Sequence, residues 1–237
     1  MLNFFQKGDE VTHHKGDQYV VLGVANQKTD RKGFVKTVVY HRKGTDPLND
    51  ANWYSRSLED FQQKFTLTKL LEKFELAADG TLEVTLSVFN SPNRIGDTFL
   101  LDVEAINKFM MSRIGRDIGE MQFPRLSSIN DGMEQIKRIT TVDSSQSAGL
   151  LVDYYLRIGA EKDGKVPVMV VGIIDPSSAL SAKLNDRIRP SFGIRSVTRP
   201  RMQEVGKPKV FDIEALVAFD VMTENPRLVS PATGQAR

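Results

Sequence analysis

Cysteine is missing from all 237 residues, which excludes disulfides, thiolate metal sites and thiol nucleophiles. Histidine is nearly missing: His13, His14 and His41 are the only three, all in the first fifth of the chain. Chemistry that needs an imidazole base must draw on these three or do without. No apolar run approaches a membrane span; "VPVMVVGII" (166–174) is among the longest. The opening "MLNFFQKGDE" has no basic stretch leading into an apolar core, so no secretory leader is expected. Net charge is only +2, too little to direct the chain to nucleic acid by itself.

What is there is an ordinary globular composition, 40% hydrophobic and 26% charged, enough for one large domain or two small ones. Residues 8–65 read as short strands and turns. "QYVVLGVANQ" (18–27) is an apolar strand entering a turn, and in "GFVKTVVYHR" (33–42) Phe34, Val38 and Tyr40 alternate onto one face. "GTDPLNDAN" (44–52) is dense in turn formers, and "WYSRSLEDFQQKF" (53–65) adds aromatics and a helical turn. The pattern suits a small barrel, with Trp53 and Tyr54 expected in its core.

After a join at 66–80, "TLEVTLSVFN" (81–90) reads as a strand. In "LLDVEAINKFMMSRIG" (100–115), Val103, Ile106, Phe109 and Met110 share one helical face. Strand-like segments are expected around 134–142 and 149–158, a buried strand at 165–175 and a helix at 175–186. Further strands follow at 192–199 and 209–222, and the tail beyond 226 has no core-forming pattern. The expected domains are 1–66 and 67–226, with an arm at 227–237.

Two resemblances add to this reading. "HHKGDQYVVLGVANQ", "TVVYHRKG" and "WYSRSLEDFQQKF" are similar to a small bacterial domain of unknown function, which implies an SH3-like barrel. Over residues 81–230 the order of motifs resembles the prohead (capsid-maturation) serine proteases of tailed bacteriophages, which share the assemblin fold. The turn is "FNSPNRIGDTF" (89–99), and "RDIGEMQFP" (116–124) stands where that family has a "GELDHP"-like motif. "GIIDPSSALSAKL" (172–184), "PSFGIRSV" (190–197) and "FDIEALVAFDVMTENP" (211–226) follow in the family's order. The implied fold is α+β: a small SH3-like barrel, then a larger assemblin-like barrel with helices.

The resemblance puts Ser191 at the nucleophile position and Phe123 where the family's general-base histidine stands. A second register matches Arg195 to the arginine of "SSRG", and Gly193 then replaces the serine. Phenylalanine cannot accept a proton, and a serine without a base is a poor nucleophile. A lysine base, Lys137 or Lys183 by motif, is the one rescue open to Ser191, and it would need a lowered pKa. His13 and His14, adjacent on a strand, are expected to point to opposite faces and to chelate poorly, so they read with His41 as polar surface groups.

Arg187, Arg189, Arg195, Arg199 and Arg201 cluster in "RIRPSFGIRSVTRPR". They read as a solvated strand face or as a contact for acidic surfaces of neighbouring proteins, with DNA phosphates third. The sequence therefore leads to a non-catalytic phage virion structural or assembly protein. It would be made in the host cytoplasm, with other capsid or virion proteins and further copies of itself as partners, no membrane and no cofactor. The alternative is an active serine endopeptidase that trims capsid and scaffold proteins.

Overall fold

The computed structural model describes residues 5–26, 34–68, 73–93, 96–126, 129–161, 164–186, 190–201 and 208–222. The chain divides into two compact units, Met1–Leu71 with Arg157–Pro167, and Glu72–Leu156 with Val168–Arg237.

In the first unit, strands β1 (Glu10–His13), β2 (Gln18–Ala25), β3 (Thr37–Arg42), β4 (Trp53–Ser57) and β5 (Phe65–Leu67) form one antiparallel sheet. Its order is β4-β3-β2-β1-β5. Helix α1 (Leu58–Lys64) leads into β5, and the Ser57 hydroxyl accepts the Asp60 amide at its first turn. The two-residue period sends Val11, Val21, Val38, Tyr40 and Phe65 into the core, where Phe61 stacks on Phe65 at 4.1 Å. Deep in this unit the Arg157 guanidinium meets the Asp9 carboxylate, both fully buried.

Trp53 and Tyr54 are not core residues: each stays about half exposed, because β4 is an edge of the sheet. The Trp53 indole N–H donates to Pro47 O across the preceding turn at 2.8 Å, and Tyr54 stacks on Tyr40. The histidines also differ from expectation. His14 lies past the end of β1, in the turn, so its ring comes to 4.0 Å from that of His13 instead of pointing away. His41 is buried and bonded to the Thr45 hydroxyl at 3.2 Å.

The second unit carries β6 (Phe74–Leu76), β7 (Leu82–Phe89), β8 (Thr98–Leu100), α2 (Val103–Arg113), α3 (Gly132–Thr140) and β9 (Gly149–Ile158) except its last two residues, which belong to the first. Next come β10 (Val168–Pro176), α4 (Ser178–Asn185), β11 (Ser191–Pro200) and β12 (Val210–Met222). One sheet has the order β6-β7-β10-β9 and the other β11-β12-β8. The near-continuous apolar run of β10 is buried on both faces, as its composition predicts; β7 alternates apolar with polar residues, yet Thr85 and Ser87 on its polar side are buried too. Ile106 and Met110 of α2 are buried with them, and α2 and α4 start on Asp102 and Ser177 caps.

Residues 116–121 are the link between the sheets. Ile118 donates to Gly149 O at 3.0 Å, and Ala148 to Gly119 O at 2.9 Å. On the other side Phe219 donates to Ile118 O at 2.9 Å, and Val221 to Glu120 O at 2.8 Å. Gly119 is required there, since a Cβ would stand 2.0 Å from Phe219 O.

Two further expectations change. Residues 134–142 are not a strand: Asp131 accepts the Met133 amide and starts α3, on which Gln135, Arg138 and Ile139 recur at helical spacing on the more buried side. Nor do strand ladders close a barrel among the described residues. The first sheet ends on β4 and β5, and in the second unit the sheets meet through the short segment 116–121.

Candidate functional site

Three of the motifs singled out in the sequence converge in the second unit. "GEMQFP" supplies Glu120, "SFGIRS" supplies Arg195 and "FDVM" supplies Asp220. All three side chains are essentially inaccessible to solvent.

Antiparallel pairing of β11 with β12 sets Gly193 against Asp220 and Arg195 against Ala218. The Arg195 fork then reaches the Asp220 carboxylate with two parallel bonds, Nε to Oδ2 at 2.8 Å and Nη2 to Oδ1 at 2.7 Å. Nη2 also donates to Glu120 Oε1 at 2.9 Å, and Nη1 donates to Thr141 O at 2.7 Å, just past the end of α3. From α3 itself, Arg138 donates to both oxygens of Glu120. The Asp143 amide donates to Glu120 Oε1 at 2.9 Å, and the Glu120 amide to Asp220 Oδ1 at 2.8 Å. Two cations and two anions thus balance, and backbone groups fill much of the remaining hydrogen-bonding capacity.

Burial by itself would raise the Glu120 carboxyl, but hydrogen bonds from Arg138, the Asp143 amide and Arg195 hold it below its ordinary value. Burial pushes the Asp220 carboxyl up, against the bonds from Arg195 and the Glu120 amide. The arrangement is built for rigidity more than for proton transfer: each carboxylate is held by an arginine that stays protonated.

Ser191 opens β11 opposite Met222 and is half-buried. Its hydroxyl donates to Met222 O at 3.3 Å. Among the described residues no imidazole or lysine amine is hydrogen-bonded to it. Phe123 is half-buried in the irregular stretch after residues 116–121. Lys137 is exposed on α3, and Lys183 is half-buried on α4.

The arginine cluster read from the sequence is split. Arg195 is inside the unit and belongs to no exposed face. Its guanidinium is desolvated because two buried carboxylates wait for it on adjoining segments. Arg199 is exposed and pairs with Glu214 at 3.4 Å, and Arg201 forms two 2.8 Å bonds to Asp212. Arg187 and Arg189 lie outside the described residues. The sequence alone does not single out Glu120 and Asp220 as partners of Arg195. The usable signal was a lone acid in the apolar run "VAFDVM" facing a lone base in "FGIRSV".

A mostly β unit with helices, in which these three motifs meet, belongs to the prohead-protease-like class. The chain is a member of the Peptidase S80 family, whose family model matches residues 53–230. No curated protein and no solved structure matches it.

Proposed function

We propose that the protein is a non-catalytic virion structural or assembly component built on the prohead-protease-like fold, made in the host cytoplasm and assembled with other capsid or virion proteins. The observation that carries this reading is the bonding of Ser191. Its hydroxyl is engaged by a backbone carbonyl, while Phe123 stands at the motif position where a base is required. The motif segments spend their charged side chains on a closed ion network. In this reading the N-terminal unit is an SH3-like attachment module, supported by its sequence motifs and by a sheet in which β5 returns beside β1.

Labelling of the full chain with a fluorophosphonate probe, and incubation with coat and scaffold precursors, test the catalytic half of the proposal. The expected result is no labelling and no cleavage. Labelling that disappears in Ser191→Ala would overturn it. Mass spectrometry of purified particles tests the other half, and absence of the protein from them would remove the virion role.

Active endopeptidase chemistry remains the second reading, favoured by the family match, which spans Ser191. It requires a base other than histidine at position 123, and the same labelling experiment decides between the two.

A further inference from the structure

Helix α3 is held from one side only. Its inner side carries Gln135, which donates to Ile129 O at 2.6 Å, with half-buried Ile139 and the Arg138 fork on Glu120. None of its residues is fully buried. On the outer side Met133 and Ile136 are 73% and 57% exposed, a turn apart on a helix whose position is fixed by the buried ion network. Two apolar side chains on a rigid, one-turn spacing offer a partner helix a contact with little ordering cost.

The charges beside this face say which partner fits. Glu134 and Lys137 are exposed, lie three residues apart on one flank, and are in no ion pair among the described residues. The acid is toward the start of the helix and the base toward its end. A second copy of the same helix, turned antiparallel by a two-fold axis, lays its Lys137 against Glu134 and its Glu134 against Lys137. Met133 and Ile136 of the two copies fill the space between. In a parallel pair the two charged flanks would lie on opposite sides of the contact, and neither charge would meet a partner.

We propose that the outer face of α3 is a homotypic contact, in which two copies of this chain pair through antiparallel α3 helices. One nine-residue helix covers less than the roughly 800 Å² per partner of a stable complex. The contact is therefore weak between free molecules and gains strength where many copies are held close together. The pairing does not depend on whether Ser191 is catalytic.

Sedimentation equilibrium of the full chain over a wide concentration range tests it. Wild type is expected to self-associate, and Ile136→Glu to lose association at least about tenfold by burying a charge in the contact. Glu134→Lys and Lys137→Glu, each alone, weaken association several-fold by setting like charges opposite. The 1:1 mixture of those two variants, and the double variant Glu134→Lys/Lys137→Glu, both return to near wild-type association. Equal melting temperatures check that the variants fold, since all three positions are exposed. A wild type that stays monomeric throughout overturns the proposal. So does association that Ile136→Glu leaves intact, or single charge variants that the mixture does not rescue.

Discussion

The two ends of the β11–β12 ribbon use the same pair of residue types in opposite ways. At the inner end Arg195 meets Asp220 and Glu120 with no solvent access. At the outer end Arg201 meets Asp212, and Arg199 meets Glu214, in water. Bond lengths hardly distinguish them, since Arg195 to Asp220 and Arg201 to Asp212 both lie at 2.7–2.8 Å. The difference is solvation. In the interior, losing one partner strands a charge where nothing else can stabilise it; at the surface, water takes the partner's place. Geometry alone is therefore a poor guide to which arginine matters.

Arg195→Met should break the contrast most severely. It leaves two buried carboxylates without their shared cation and is expected to cost about 3–5 kcal/mol of unfolding free energy. Denaturant titration would measure it. The double variant Arg195→Met/Asp220→Leu should recover most of that loss, because Glu120 keeps Arg138. If the double variant is no better than the single, stranded charge is not the cause.

Gly119→Ala comes next. The added methyl meets Phe219 O at 2.0 Å, so the 116–121 link must shift away from β12. A loss of about 3 kcal/mol is expected, with faster hydrogen exchange at the Phe219 and Val221 amides. Unchanged exchange there would show that the link tolerates a side chain.

Acid should weaken the inner end through Glu120. Its carboxyl is lower in the folded protein than the 4.5 of an ordinary glutamate. Its contribution is complete above the unfolded value and is lost as pH falls through the lowered folded value. Asp220, pushed up by burial, acts in the opposite sense: its contribution is present in acid and lost as pH rises through the raised value. Unfolding midpoints between pH 7 and about pH 3, compared with those of Glu120→Gln, isolate the first effect. Wild type should lose its advantage over the variant in the acid range; a constant gap would rule Glu120 out. The smallest effect belongs to the outer end, where Arg201→Ala should leave the unfolding midpoint where it is.

Much of this was legible in the sequence. Runs such as "VPVMVVGII" and the capped periodic stretch after Asp102 yield β10 and α2, because one dominant signal, apolar spacing, decides each. α3 was not legible as a helix, since Ile136 and Ile139 with neighbouring threonines also suit a strand, and the deciding contact is the cap at Asp131. Arg195 reads as a surface residue because it stands in a run of five arginines, and arginine is rarely buried unless it is paired. Only the meeting of three segments distant in sequence takes it out of water, and that is a property of register. The engagement of Ser191 with Met222 O was not legible, because it depends on the register of two strands distant in sequence.

The pairing of Asp9 with Arg157 bears on how the protein is made. The first unit includes Arg157–Pro167, and its buried carboxylate finds its counter-ion 148 residues later in the chain. On a ribosome adding about 5–20 residues per second, the five-stranded sheet is complete many seconds before the guanidinium that neutralises its interior exists. Until then the carboxylate has to keep its water. The N-terminal unit thus matures only after more than half of the second has been translated, which ties the birth order of the two units together.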